Sequence, residues 1–188
     1  MTEQFIPPHG GYKDLLAFQK AEIVYDATVR FCADLLDRRD RTVDQMVQAA
    51  RSGKQNIVEA SMASGTSKET EIKLTNVARA SLEELLTDYR DFLRTRGFSE
   101  WPKDHPYVRR IQEMNRTPGA NYEVFRKAVE NPDPAIRANA IIGLVKVTNY
   151  LLDQQLKRLE KDFVEQGGLR ERMTRARLAE RSKQGGRQ

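Results

Sequence analysis

Apolar residues recur at helical spacing in four long stretches of the chain. Over residues 13–36, Leu15, Phe18, Glu22, Tyr25, Val29 and Leu36 share one stripe, and Leu16, Ile23 and Phe31 widen it. This predicts an amphipathic helix with a broad apolar face. Over 42–62, Val43, Met46, Ala50, Gly53, Ile57 and Ala60 alternate by three and four, the spacing of a heptad seam. Thr42-x-x-Gln45 reads as a capping box at its start. Ser64-Gly65 closes this helix, and Thr66-x-x-Glu69 opens a third that runs to about residue 94. Leu74, Ala78, Ser81, Leu85, Tyr89 and Phe92 form its apolar face. Arg90, Arg94 and Arg96 read as complements to its C-terminal dipole, with Gly97 as the stop. A fourth helix starts at Asp133-Pro134 and carries Ile141, Leu144, Val147, Leu151, Leu156, Leu159 and Phe163 up to Gly167-Gly168.

No stretch alternates with period two for long enough to make a strand, so the expected class is all-α. Residues 98–132 interrupt the pattern. Trp101-Pro102, His105-Pro106, Pro118-Gly119 and Asn131-Pro132 are turn signals, with short helices expected over 107–115 and 121–130. Trp101, Tyr107, Tyr122 and Phe125 are expected to pack this insertion onto the long helices; the alternative is an aromatic docking surface.

Charge changes the picture at one end only. The formal net charge of +5 lies wholly within residues 167–188. Arg170, Arg172, Arg175, Arg177, Arg181, Lys183 and Arg187 there stand against Glu171 and Glu180, while the other 166 residues are balanced. Such a tail is a candidate for polyanion binding through phosphate contacts. The alternatives are a solvated terminus or a helix that docks on a protein partner, because Leu169, Met173 and Ala176 fall at helical spacing.

The chemistry of a site is sparse. One cysteine and two histidines cannot assemble a Cys/His zinc site, and neither His9 nor His105 follows a glutamate at the spacing of a di-iron helix. Phosphate-loop, dinucleotide and nucleophile-elbow patterns are missing. Cys32 lies among Phe31, Ala33 and Leu35 and reads as a small core residue. His105 reads as a local cap, and Glu83-Glu84 point to different faces of their helix. The expectation is a chain that is not an enzyme, with no cofactor and no metal. No stretch long enough to cross a bilayer is free of charge, and the first eleven residues lack the pattern of a secretion signal. A soluble cytoplasmic protein is expected.

The second and third helices suit a close hairpin. Ala49, Ala50, Gly53 and Ala60 on one would oppose Ala78, Ala80 and Ser81 on the other. Asn56 and Glu59 flank the first face; Arg79 and Glu83 flank the second. A Glu59–Arg79 pair, across the hairpin or a subunit boundary, would set register. Here the residues resemble a known family. Ala50-Arg51-Ser52-Gly53-Lys54-Gln55-Asn56-Ile57-Val58-Glu59-Ala60, then Ser67-Lys68-Glu69, then Ala78-Arg79-Ala80-Ser81-Leu82-Glu83-Glu84-Leu85, are similar to motifs of the four-helix-bundle family named for the intervening-sequence protein of 23S ribosomal RNA genes. Tyr12-Lys13-Asp14-Leu15 and Phe18-Gln19-Lys20-Ala21 resemble that family's first-helix start. Ala60 and Ala80 stand where the family pattern has glycine.

The resemblance implies an up-and-down antiparallel four-helix bundle over 13–166; the helical insertion over 98–132, between the third and fourth helices, and the basic tail over 167–188 extend past the family's compact bundle, and residues 1–12 are an N-terminal arm. It implies Gly53, Asn56, Glu59, Arg79, Ser81 and Glu83 as the signature of the bundle. It also implies self-assembly, as several members form homopentameric rings, and one relative, the accessory variability determinant of diversity-generating retroelements, binds nucleic acid beside a reverse transcriptase. The expected function is a non-catalytic homo-oligomeric scaffold. Arg170, Arg172, Arg175, Arg177, Arg181 and Lys183 would contact RNA or DNA, or a nucleic-acid-processing protein. The alternative is a structural or protein-interaction scaffold without nucleic-acid binding.

Overall fold

The computed structural model describes residues 9–185; most of the N-terminal arm, and the end of the tail with Arg187, lie outside the described residues. Among the described residues the fold is all-helical, without a strand. A single 3₁₀ turn, Tyr12–Asp14, leads into α1 (Leu16–Leu35), α2 (Arg41–Ala63) and α3 (Lys68–Thr95). Residues 98–132 hold α4 (Pro106–Arg116) and α5 (Tyr122–Val129), and α6 (Pro134–Gln166) and α7 (Leu169–Gly185) follow.

Two helix starts differ from the expected capping boxes. Asp40 caps α2: its carboxylate accepts the Thr42 N–H at 2.9 Å. A carboxylate makes the stronger, charge-assisted cap and also complements the helix dipole. Ser67 caps α3, accepting the Thr70 N–H at 3.2 Å, while the Thr66 hydroxyl turns back to donate to the Ala63 carbonyl at 3.3 Å. At α6 the expected start is observed: Asp133 accepts the Ala135 N–H at 2.8 Å, and Pro134 occupies the first turn, where it forfeits no helical bond.

α1 packs on α2 and α6, and α3 packs on the same two helices, so the four long helices enclose one core. At its centre Phe31 meets Tyr89 and Phe92 edge-on, with centroids 5.0 and 4.8 Å apart. Such pairs contribute about 0.5–1.5 kcal/mol beyond burial. The buried Tyr89 hydroxyl donates to Thr28 Oγ1 at 3.0 Å, and Thr28 donates to the Val24 carbonyl at 2.8 Å, so neither polar group is stranded. The heptad seam of α2 is buried at Met46, Ala50, Gly53, Ile57 and Ala60. The stripe expected on α1 is shifted, since Leu16 and Val29 are exposed while Ile23, Val24, Ala27, Thr28 and Cys32 are buried. This helix has neighbours on more than one side, and the insertion helix α5 is among them.

The insertion lies on α6, which is why residues 137–142 of that helix are buried without a break. Ile111, Phe125 and Val129 enter the core. Asn139 fastens the entry: its Oδ1 accepts the Trp101 N–H at 2.7 Å, and its Nδ2 donates to the Ser99 and Ala135 carbonyls at 3.1 and 3.0 Å. Glu100 beside it takes Arg90 of α3 at 2.9 Å and also Lys146 of α6. His105 caps α4 through Nδ1 and stacks on Trp101 at 4.6 Å. Phe125 is buried and Trp101 and Tyr122 are half-buried, as packing of the insertion requires; Tyr107 stays exposed. No described helix is long and apolar enough to cross a membrane.

Candidate functional site

The residues singled out from the α2–α3 hairpin fall into three separate arrangements. Gly53 marks the close approach. A Cβ built there would stand 2.7 Å from Cγ and Cδ2 of Leu82 on α3. Directly beside it, Ser52 Oγ lies 2.9 Å from Ser81 Oγ, and Asn56 Nδ2 donates to the Ser52 carbonyl at 2.9 Å. Asn56 and Ser81 are thus brought together through Ser52. Ala80, expected in the contact, is exposed instead.

Within the chain Glu59 and Arg79 do not pair across the hairpin. Glu59 is exposed on α2, whereas Arg79 turns to α6 and meets Asp153 at 3.5 Å, with Asn76 also at 3.5 Å. The reason is packing: α3 lies against α6 as well as α2, and Asp153 is the carboxylate that α6 presents to it. Glu83 likewise serves the α3–α6 contact, accepting the Asn149 Nδ2–H at 3.0 Å and lying 3.8 Å from Arg90. All of these ion pairs are partly exposed, so they fix register more than they stabilise.

The tail is a helix set apart from the core. α6 ends at Gly167, whose φ of 71° is left-handed and suits only glycine without strain. The Gly168 N–H is taken by Glu171 at 2.9 Å, which starts α7. α7 has no extensive packing against another helix and is exposed from Met173 onward. Arg170, Arg172, Arg175, Arg177, Arg181 and Lys183 all lie on it, and none is in an ion pair among the described residues. Arg175 donates to the Gln166 carbonyl, and Arg172 Nε is buried without a partner. At 100° per residue Arg170, Arg177 and Arg181 share one face, roughly 10 and 6 Å apart along the axis, with Arg172 and Lys183 on the other. Guanidinium groups so spaced can each take a phosphate oxygen.

A further feature was missed in the sequence. α1, α4 and α6, with the 117–120 loop, border a cavity of about 760 Å³. Lys20 lines it and is only 4% exposed. Its Nζ donates to the Ala120 carbonyl at 3.4 Å and stands 5.6 Å from the Phe125 ring. Burial pushes its ammonium below the ordinary lysine value. The one available signal was a lysine between Phe18 and Ala21 on the buried side of the first helix.

Cys32 is buried, and its thiol is pushed up to about 12, first by burial and then by Asp88 and Asp40. Among the described residues no group of three or more His, Cys, Asp or Glu side chains is placed to hold a metal ion. Set against known protein families, characterised proteins and solved structures, the chain matches none.

Proposed function

We propose that this chain is a non-catalytic, homo-oligomeric helical-bundle protein that binds nucleic acid through α7. The observation that carries the reading is the helix itself: six basic side chains with no ion-pair partner among the described residues, on an element exposed from Met173 onward. Arginine-rich helices of this kind bind phosphates without reading bases, since the affinity comes from counterion release. In this reading the four long helices form an up-and-down antiparallel bundle, as in the family that its hairpin motifs resemble, and 98–132 is an insertion beyond that family's compact form. Self-association, as a pentamer by that resemblance, would place several α7 helices on one assembly and multiply weak contacts through avidity.

The test compares the full chain with a chain ending at Gln166, both sized by light scattering. Anisotropy with labelled single-stranded RNA and DNA is read at low and near-physiological salt. Binding by the full chain alone, with a log-log salt slope near −4 when all six side chains engage single strands, is the expected result. No binding by either chain, with the oligomer intact, overturns it. A second reading, a protein-interaction scaffold, is favoured by the exposure of Met173 and Leu178 on the same helix. A gain of protection along α7 with a protein partner, and none with nucleic acid, would select it.

A further inference from the structure

The cavity between α1, α4 and α6 is lined by three charged side chains, Lys20, Arg116 and Lys146, and by no carboxylate. Lys146 is neutralised from outside the cavity by Glu100, and Arg116 is exposed at the end of α4. Lys20 is different. It is buried and forms no ion pair among the described residues. Of its three N–H donors only one has a partner, the Ala120 carbonyl. A buried ammonium left in this state is costly unless an anion joins it.

Gln19, Gln112 and Thr117 also border it, and the remainder of the wall is mainly apolar. Val108 and Ile111 come from α4, Val147 and Leu151 from α6, and Leu16 from α1. Leu16 and Tyr150 are 59% and 62% exposed, an unusual state for large side chains that border an apolar hollow. The volume is that of a site for a small molecule. Its occupant must carry one negative charge at one end and apolar carbons along its body. A dianionic phosphate would exceed the single unpaired ammonium and be poorly desolvated beside aliphatic walls.

We propose that this cavity binds a medium-chain carboxylate, its headgroup on Lys20 Nζ and its aliphatic body against Val108, Ile111, Val147 and Leu151, with Leu16 covering the entrance. The site is separate from α7 and does not depend on nucleic-acid binding.

The test titrates the full chain with decanoate, and with decanol as the uncharged control, below the concentrations at which either aggregates. Binding is followed by calorimetry and by amide shifts of Ala120 and Gly143. Decanoate should bind saturably, about tenfold or more tighter than decanol, as one charge-assisted contact provides. Lys20→Met should remove that preference while leaving decanol unchanged. Leu16→Glu, at an exposed position that does not threaten folding, should weaken decanoate by about tenfold through like-charge repulsion. Equal binding of decanoate and decanol, or shifts scattered over the surface, overturns the proposal. So does decanoate affinity unchanged in both variants. If Lys20→Met fails to fold, Leu16→Glu and the decanol comparison decide.

Discussion

Gly53 is where one missing side chain sets the distance between two helices. With Leu82 at 2.7 Å from the position of a Cβ, Gly53→Leu forces α2 and α3 apart. The expected loss is about 1–3 kcal/mol, from overpacking, measured by urea unfolding. Tyr89→Phe should cost about 0.5–1.5 kcal/mol by the same measurement, because Thr28 loses the donor it accepts. Cys32, with its thiol raised by burial, should resist alkylation at pH 8 in the native chain and react at once in denaturant; rapid native labelling would contradict its place in the core. Gly53 was legible because it interrupts a regular seam with the smallest residue. Lys20 was not. A lysine on an amphipathic helix normally extends to water at the edge of the stripe, and what buries this one is the loop at Ala120, a hundred residues further along.

Among the elements, helix starts were legible to within a few residues, and the face of α2 emerged from spacing alone, whereas α6 buries Val145, Thr148, Asn149 and Leu152 and leaves the expected Val147, Leu151, Leu156 and Phe163 half-buried. The first helix was less legible, because its apolar surface serves two long neighbours and α5, and a single stripe cannot describe it. Across the hairpin the Glu59–Arg79 pair failed for a related reason: spacing along α3 says where Arg79 lies, but only the placement of α6 supplies Asp153. Arg79→Ala should therefore lower stability by no more than about 1 kcal/mol and leave nucleic-acid affinity unchanged. Asn139 is the more consequential polar residue of α6. Asn139→Ala strands the Trp101 N–H, and hydrogen exchange should accelerate there before the core opens. Glu100 adds a pH dependence. Burial raises its pKa, but the hydrogen bonds from Lys146 and Arg90 outweigh burial and hold the carboxyl below its ordinary value. A depressed acid stabilises the fold above the unfolded glutamate value, and that stabilisation is lost as pH falls through the folded one. Wild-type stability should thus decline more steeply in acid than that of Glu100→Gln, as thermal melts at pH 3 to 6 would show.

At the scale of the molecule, α7 and the core are separable by their packing. Removal of everything after Gln166 should leave the thermal midpoint of the core nearly unchanged, since α7 has no extensive packing against any core helix. The tail was legible as a block of charge, and its helical form only as one of the alternatives that the spacing of Leu169, Met173 and Ala176 left open, because propensity is a weak guide to an isolated helix. The order of the elements along the chain has a consequence for synthesis. α1 and α3 both close against α6, yet the whole insertion stands between α3 and α6. At translation rates of about 5–20 residues per second, the inner faces of the first three helices wait roughly 4–14 s for their covering helix. During that interval Phe31, Tyr89 and Phe92 have no wall on the α6 side, so a nascent chain paused within the insertion is the form of this protein with the greatest need of a chaperone.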